Sequence, residues 1–116
     1  MFLPTILDGV QTIVYSFAML EVLKSATFDR WLRDLPDRSA RIRIQARIDR
    51  LADGHVGDCQ PVGKGIFELR IFHGPGYRLY FIRKGGALIV LLCGGDKATQ
   101  QRDIAHAQAI ANDWSD

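Results

Sequence analysis

The sequence predicts an α+β domain: a small antiparallel sheet of three to five strands, preceded by an αα-hairpin and closed by a C-terminal helix. Three observations carry this. The apolar period changes from helical to two after Gly54. Glycine-rich links, Gly74-Pro75-Gly76 and Lys84-Gly85-Gly86, separate runs rich in Ile, Val, Leu, Phe and Tyr. Pro36 divides the helical half into two segments.

Each element follows in order. Residues 20–24, LEVLK, read as a short first strand. Ser25 or Thr27 caps a helix whose apolar positions Phe28, Trp31, Leu32 and Leu35 keep the i, i+3, i+4, i+7 spacing. Pro36 stops it, and Asp37 caps a second helix that ends before Gly54. In that helix Ala40, Ile44, Ile48 and Leu51 form an apolar stripe, while Arg43, Arg47 and Arg50 lie on another. Segment 57–63 fits a short edge strand, because Pro61 does not suit the middle of a sheet. Residues 66–72, 77–83 and 87–93 are the main strands, and the last, ALIVLLC, lacks alternation, which implies cover on both faces. Thr99 caps a final helix running to about Trp114, with Ile104, Ala107, Ala111 and Trp114 facing inward.

Alternation sorts the strand side chains. Phe67, Leu69 and Ile71 point one way, Glu68 and Arg70 the other; Leu79 and Phe81 share a face opposite Arg78 and Tyr80. The two apolar sets must meet one core. A three-residue loop, Gly74-Pro75-Gly76, satisfies this and aligns Arg70 with Tyr80. Glu68, Arg70, Arg78 and Tyr80 are then expected to form one polar cluster on the face of the sheet without helices. Two arginine forks with a tyrosine on rigid strands suit a phosphodiester; a surface salt-bridge cluster around Glu68 is the structural alternative. Gly94-Gly95 is expected at a sharp turn after the last strand, with Lys97 and a helix N-terminus close by, a setting that favours anions. The Walker spacing is absent.

Composition narrows the class. Of 116 residues, 47% are hydrophobic and 24% charged, which excludes a disordered or collagen-like chain. The net charge is only +2, yet Lys24 to Lys84 holds thirteen basic and seven acidic residues, an excess that attracts polyanions or marks a solvated helix face. Cys59 and Cys93 are too few for a disulfide framework and lack metal-ligand spacing, so neither metal nor cofactor is expected. Of the three histidines, His73 is the best site candidate, since it ends the strand carrying Arg70. The apolar start is interrupted by Pro4, Asp8, Gly9 and Gln11 and has no Lys or Arg before Lys24. No membrane contact is therefore expected, and the expected location is cytoplasmic.

The segments 28–51, 57–81 and 91–107, with their ELR, GPGYR and CGGDK motifs, resemble the RelE/ParE toxin superfamily. The nearest branch is the HigB-like addiction module killer proteins related to phage host-inhibition proteins. The resemblance spans about Met19 to Trp114. It sets residues 1–18 apart as an extension and makes 19–116 the toxin domain. Met19 is the expected native start, or the extension is dispensable; an added strand near Ile13-Val14 is the alternative.

The resemblance implies the toxin of a type II toxin–antitoxin pair, a metal-independent endonuclease acting on messenger RNA at the ribosome. Its implied partner is a HigA-like helix-turn-helix antitoxin, bound in a salt-sensitive way. A ParE-like gyrase poison and a non-catalytic antitoxin-binding remnant are the alternatives. Residue by residue, Arg70 matches the basic position on the first long strand, with Glu68 at the neighbouring inward position. Arg78 is the arginine of the GYR motif, and Lys97 the basic residue after the last strand. Asp103 stands near the place of RelE's functional tyrosine, where HigB-type toxins use an acidic residue.

In such cleavage the RNA's own 2′-OH attacks the phosphate. Arg70 and Arg78 hold and neutralise it, Lys97 adds charge, and Asp103 or Glu68 supplies the base. Tyr80 stacks on a base or orients the hydroxyl. Glu68, His73, Tyr80, Arg43 and Arg47 make up the expected RNA-binding set. Arg78→Ala is expected to stop cleavage and leave the fold intact.

Overall fold

The computed structural model describes residues 3–7, 10–14 and 20–114, the first two segments as backbone strands. β1 (Leu3–Leu7) and β2 (Val10–Val14) pair antiparallel with Leu7 opposite Val10, and form a two-stranded sheet of their own. The sequence signal for this pair is Asp8-Gly9 between two apolar runs, a strong hairpin dipeptide. An added strand was the alternative for this region, but the pair does not extend the main sheet. The expected start at Met19 falls outside the described residues.

The elements that follow are β3 (Glu21–Lys24), α1 (Ala26–Asp34), α2 (Arg38–Ala52), β4 (Cys59–Gly63), β5 (Ile66–Ile71), β6 (Tyr77–Lys84), β7 (Leu88–Asp96), a 3₁₀ turn (Lys97–Thr99) and α3 (Gln100–Asp113). The five strands lie in the order β3-β7-β6-β5-β4. The chain starts at one edge, crosses the sheet through α1 and α2, and returns by a meander until β7 docks beside β3. That return makes β3–β7 parallel, with Glu21 opposite Leu88, while every other pairing is antiparallel. The expected small antiparallel sheet is present, with one parallel edge pair where the chain returns to β3 in the same direction. β4 is an edge strand, which accommodates Pro61.

Local chemistry sets the helix ends. The Ser25 hydroxyl oxygen accepts the Phe28 N–H at 3.0 Å and caps α1; Asp37 accepts the Ala40 N–H at 3.1 Å and caps α2. Thr99 precedes α3 without a side-chain cap bond, for its hydroxyl is engaged by Asp103. On one face of the sheet Phe28, Leu32, Ala40, Ile44, Ile48 and Leu51 pack on Leu69, Ile71, Leu79, Phe81, Ile89 and Leu91. On the other face α3 lays Ala107, Ile104, Ile110, Ala111 and Trp114 over Ile66, Ile82, Val90 and Leu92. Cover on both faces explains why β7 shows no alternation.

Three expectations are corrected. The β5–β6 link takes five residues, 72–76, so Arg70 lies opposite Arg78 and Glu68 opposite Tyr80. The facing of every side chain survives, because the register moves by two. The sheet face carrying these residues is covered by α3, and it is no open surface. Gly94 and Gly95 lie inside β7 and not at a turn. A β-bulge between Tyr80/Phe81 and Cys93/Leu91 leaves Leu92 as the extra residue, so that Leu92 and Cys93 both face α3. The Leu92 carbonyl accepts the Ser25 hydroxyl at 2.6 Å. Beyond the bulge Gly94 turns to the αα-hairpin and Gly95 to α3. A Cβ on Gly94 would run into the Trp31 ring, and one on Gly95 into the Asp103 carboxylate. The glycines are there for close approach, not for a turn.

Candidate functional site

Two rows of polar side chains cross the α3 face of the sheet. The first joins Gln60, Glu68, Tyr80 and Cys93, each opposite the next along β4, β5, β6 and β7. The second joins Asp58, Arg70, Arg78 and Gly95, where Arg70 and Arg78 oppose each other directly. Like charges at such a pair repel, and each arginine has its own carboxylate. Arg70 donates to Asp58 at 2.9 and 3.3 Å, and Arg78 donates to Glu68 at 2.9 Å.

The two ion pairs differ in setting. Glu68 is fully buried and accepts from Arg78 and Gln60 on one oxygen and from Tyr80 and Gln100 on the other. Gln100, the first residue of α3, approaches to 2.7 Å and ties the helix to the sheet. Four donors fill both carboxylate oxygens, so Glu68 has no spare lone pair for a substrate proton. Tyr80 is fully buried too, and its phenol is held far above its ordinary value, first by burial and then by the Glu68 charge. It acts as a neutral donor, and its ring offers no face for base stacking. The Asp58–Arg70 pair stands at the sheet edge with about a third of each side chain in water.

Asp103 sits at the start of α3, nearly buried, over Gly95 and therefore beside Arg78 in the second row. It accepts the Thr99 hydroxyl, and Arg102 approaches its other oxygen at 3.7 Å. Asp103 also adds to the upward push on Cys93, whose thiol is raised to about 12, first by burial. Lys97 is exposed and lies next to the turn, 3.7 Å from where a Gly76 side chain would begin. His73 is not with Arg70; it turns to Asp37 at 3.6 Å, at the start of α2.

Arg43 and Arg47 are not on the α3 face. With Arg50 and Arg70 they line a cavity of about 470 Å³ between α2 and the edge of β5. Asp58 is the one carboxylate in that lining, and Phe72 forms its rim with 82% of its surface exposed. The structure therefore unites Glu68, Arg78 and Tyr80, sets Asp103 beside them, and places Arg70 between that cluster and the arginine cavity.

Several participants had little sequence signal. Gln60 and Gln100 are named only by the pairing that brings them to Glu68. Phe72 did carry one: it continues the parity of Glu68 and Arg70, where an apolar residue is out of pattern. Among the described residues no cluster of three His, Cys, Asp or Glu side chains could hold a metal, and no helix is long and apolar enough to cross a membrane.

The architecture is matched in a solved structure. The toxin–antitoxin complex RelBE2 from Mycobacterium tuberculosis contains a chain that superposes with a TM-score of 0.54 at 22% identity, over 68% of this chain and 99% of that one. The sheet, αα-hairpin and closing helix thus share the fold of that RelBE2 chain. An uncharacterized protein of Haemophilus influenzae is 47% identical over 94 residues, 81% of this chain and 95% of its own length. Residues 30–114, from α1 to the end of α3, match the phage-derived Gp49-like proteins (DUF891), and the chain belongs to that family.

Proposed function

We infer that the protein is the toxin of a type II toxin–antitoxin pair and that it cleaves messenger RNA on the ribosome, in the cytoplasm, in the manner of HigB-like members of the RelE superfamily. The observation that carries this reading is the second polar row. Two arginines oppose each other on rigid strands, and Asp103 stands over the neighbouring glycine. Such a row offers planar cations to a phosphate and a carboxylate to the hydroxyl that attacks it. The likeness to a chain of a toxin–antitoxin complex supports the same reading.

In this mechanism the RNA 2′-OH is the nucleophile. Asp103 takes its proton, Arg78 neutralises the phosphorane and exposed Lys97 adds charge from the 3₁₀ turn; the P–O5′ bond then breaks to leave a 2′,3′-cyclic phosphate, and the departing 5′-oxygen takes a proton from water. Arg70 joins once the phosphate competes with Asp58 for its fork. Glu68, Tyr80 and Gln100 act on Arg78, holding its guanidinium in place, and do not touch the RNA. A cognate antitoxin of the HigA-like, helix-turn-helix type is the partner.

Burial of the Arg78–Glu68 pair changes the choice of variant. Only 12% of the Arg78 side chain is exposed, and Arg78→Ala would strand the buried Glu68 carboxylate, so the expectation of an intact fold is withdrawn. Arg78→Lys keeps a cation for Glu68 and loses the planar fork. It is expected to lower single-turnover cleavage on programmed ribosomes by about a hundredfold with an unchanged circular dichroism spectrum. Wild-type cleavage by Arg78→Lys and Lys97→Ala alike, mapped by primer extension, would place the chemistry elsewhere.

A further inference from the structure

The arginine cavity is separate from the row around Arg78, and its chemistry is more specific than a solvated helix face. Arg43, Arg47 and Arg50 share one side of α2 over roughly 10 Å of helix. Arg47 is fixed in place. Its guanidinium lies over Gly57, which has φ +69° and no room for a Cβ, and donates to the Val56 carbonyl at 3.2 Å. Three arginines of α2 and Arg70 meet one carboxylate in the lining, and burial, then the neighbouring Arg50 charge, hold the Arg47 guanidinium below its ordinary value. Asp58, the single carboxylate, is committed to Arg70. Beside this fixed row stands the exposed ring of Phe72.

We propose that this groove binds single-stranded RNA, with backbone phosphates on Arg43, Arg47 and Arg50 and one unstacked base on Phe72. A row of guanidinium groups flanking an exposed aromatic ring is the pairing that single-strand binders use, because every base has a π-face. A duplex keeps its bases stacked and leaves Phe72 without a partner. Asp58 limits the affinity: it competes with phosphate for Arg70, and a strand passing from the groove toward Arg78 must displace it. The RNA-cleaving reading supplies only the identity of the substrate; the groove itself rests on its own residues.

The test uses the full chain and a fluorescent ten-nucleotide RNA with 2′-O-methyl groups, which cannot be cleaved, read by anisotropy. Single strand is expected to bind more tightly than a hairpin duplex. Phe72→Ala is expected to weaken binding about tenfold and Phe72→Trp to restore it. Arg43→Ala should reduce the salt dependence by about 0.7 in log–log slope, one phosphate contact. Asp58→Asn should tighten binding, an effect that a merely structural carboxylate would not produce. Unchanged affinity in Phe72→Ala, or equal binding of duplex and single strand, overturns the proposal. So does loss of a co-purifying antitoxin from Phe72→Ala and Arg43→Ala while RNA affinity is unchanged, which makes the groove a protein-docking surface. Intact, Phe72-dependent binding together with absent ribosomal cleavage sinks the cleavage reading and leaves the groove standing.

Discussion

Arg78 under α3 and Arg43 on α2 are the same side chain in two dielectric settings. Arg78 lies against a carboxylate that water does not reach, and three further donors share that carboxylate. Arg43 is exposed, on a helix whose apolar stripe faces the other way. In the first region charge is a structural component, since neither partner can be removed without stranding the other. In the second, charge costs the fold almost nothing and lies open to a ligand, whereas Arg78 can offer a phosphate only the 12% of its side chain that Glu68 and α3 leave exposed. Arg70, with a half-exposed partner, stands between the two.

The largest effect expected from this contrast is at Glu68. Glu68→Ala leaves Arg78 and the Tyr80 and Gln100 donors unpaired in the interior and should cost about 3–5 kcal/mol in urea unfolding. A loss below about 1 kcal/mol would mean that water reaches the cluster and that the two regions are alike. Gly95→Ala comes next. Its Cβ would push the Asp103 carboxylate and the start of α3 off the sheet, at about 1–3 kcal/mol. A crystal structure of that variant with Asp103 unmoved would break the close-packing account.

Alkaline titration sharpens the same contrast. Cys93 moves from 9.0 to about 12 in the folded chain, and Tyr80 also moves upward. The folded state thus keeps protons that the unfolded chain loses. Stability from these groups is fully present below pH 9 and falls as pH rises from there toward 12, by up to about 1.4 kcal/mol per pH unit for each group. Cys93→Ala should flatten the fall between pH 9 and 11; an unaltered slope would remove Cys93 as its source. The smallest effect is at the edge. Asp58→Asn should change stability by less than about 1 kcal/mol, since a third of that pair is in water. A larger loss would assign Asp58–Arg70 to the buried region.

Much of the frame was legible because it depends on near neighbours in the chain. Ser25 and Asp37 cap the helices that follow them, and the stripe Ala40, Ile44, Ile48 and Leu51 is buried throughout. The edge placement of β4 followed from Pro61. The site was less legible. Glu68, Arg70, Arg78 and Tyr80 were legible as one cluster, expected on an open face, and Arg43, Arg47 and Arg50 as a stripe of α2; Gln60, Asp58 and Gln100 were not. Nothing within four residues of Glu68 announces that Gln60, Tyr80 and Gln100 will surround it.

The sequence by itself therefore determined the types of the helices and main strands, the caps of α1 and α2 and the facing of the residues on β5 and β6, because period and capping are local and parity survives a two-residue slip. Only the tertiary structure decided the Arg70–Arg78 register, the bulge that aims Gly95 at Asp103, and the burial of Glu68 and Tyr80. Those depend on a five-residue turn, on an extra residue in β7 and on α3 closing over the second face. Each is settled by packing between segments far apart in the chain, and the same arginine becomes a core ion or a surface ligand according to which segment covers it.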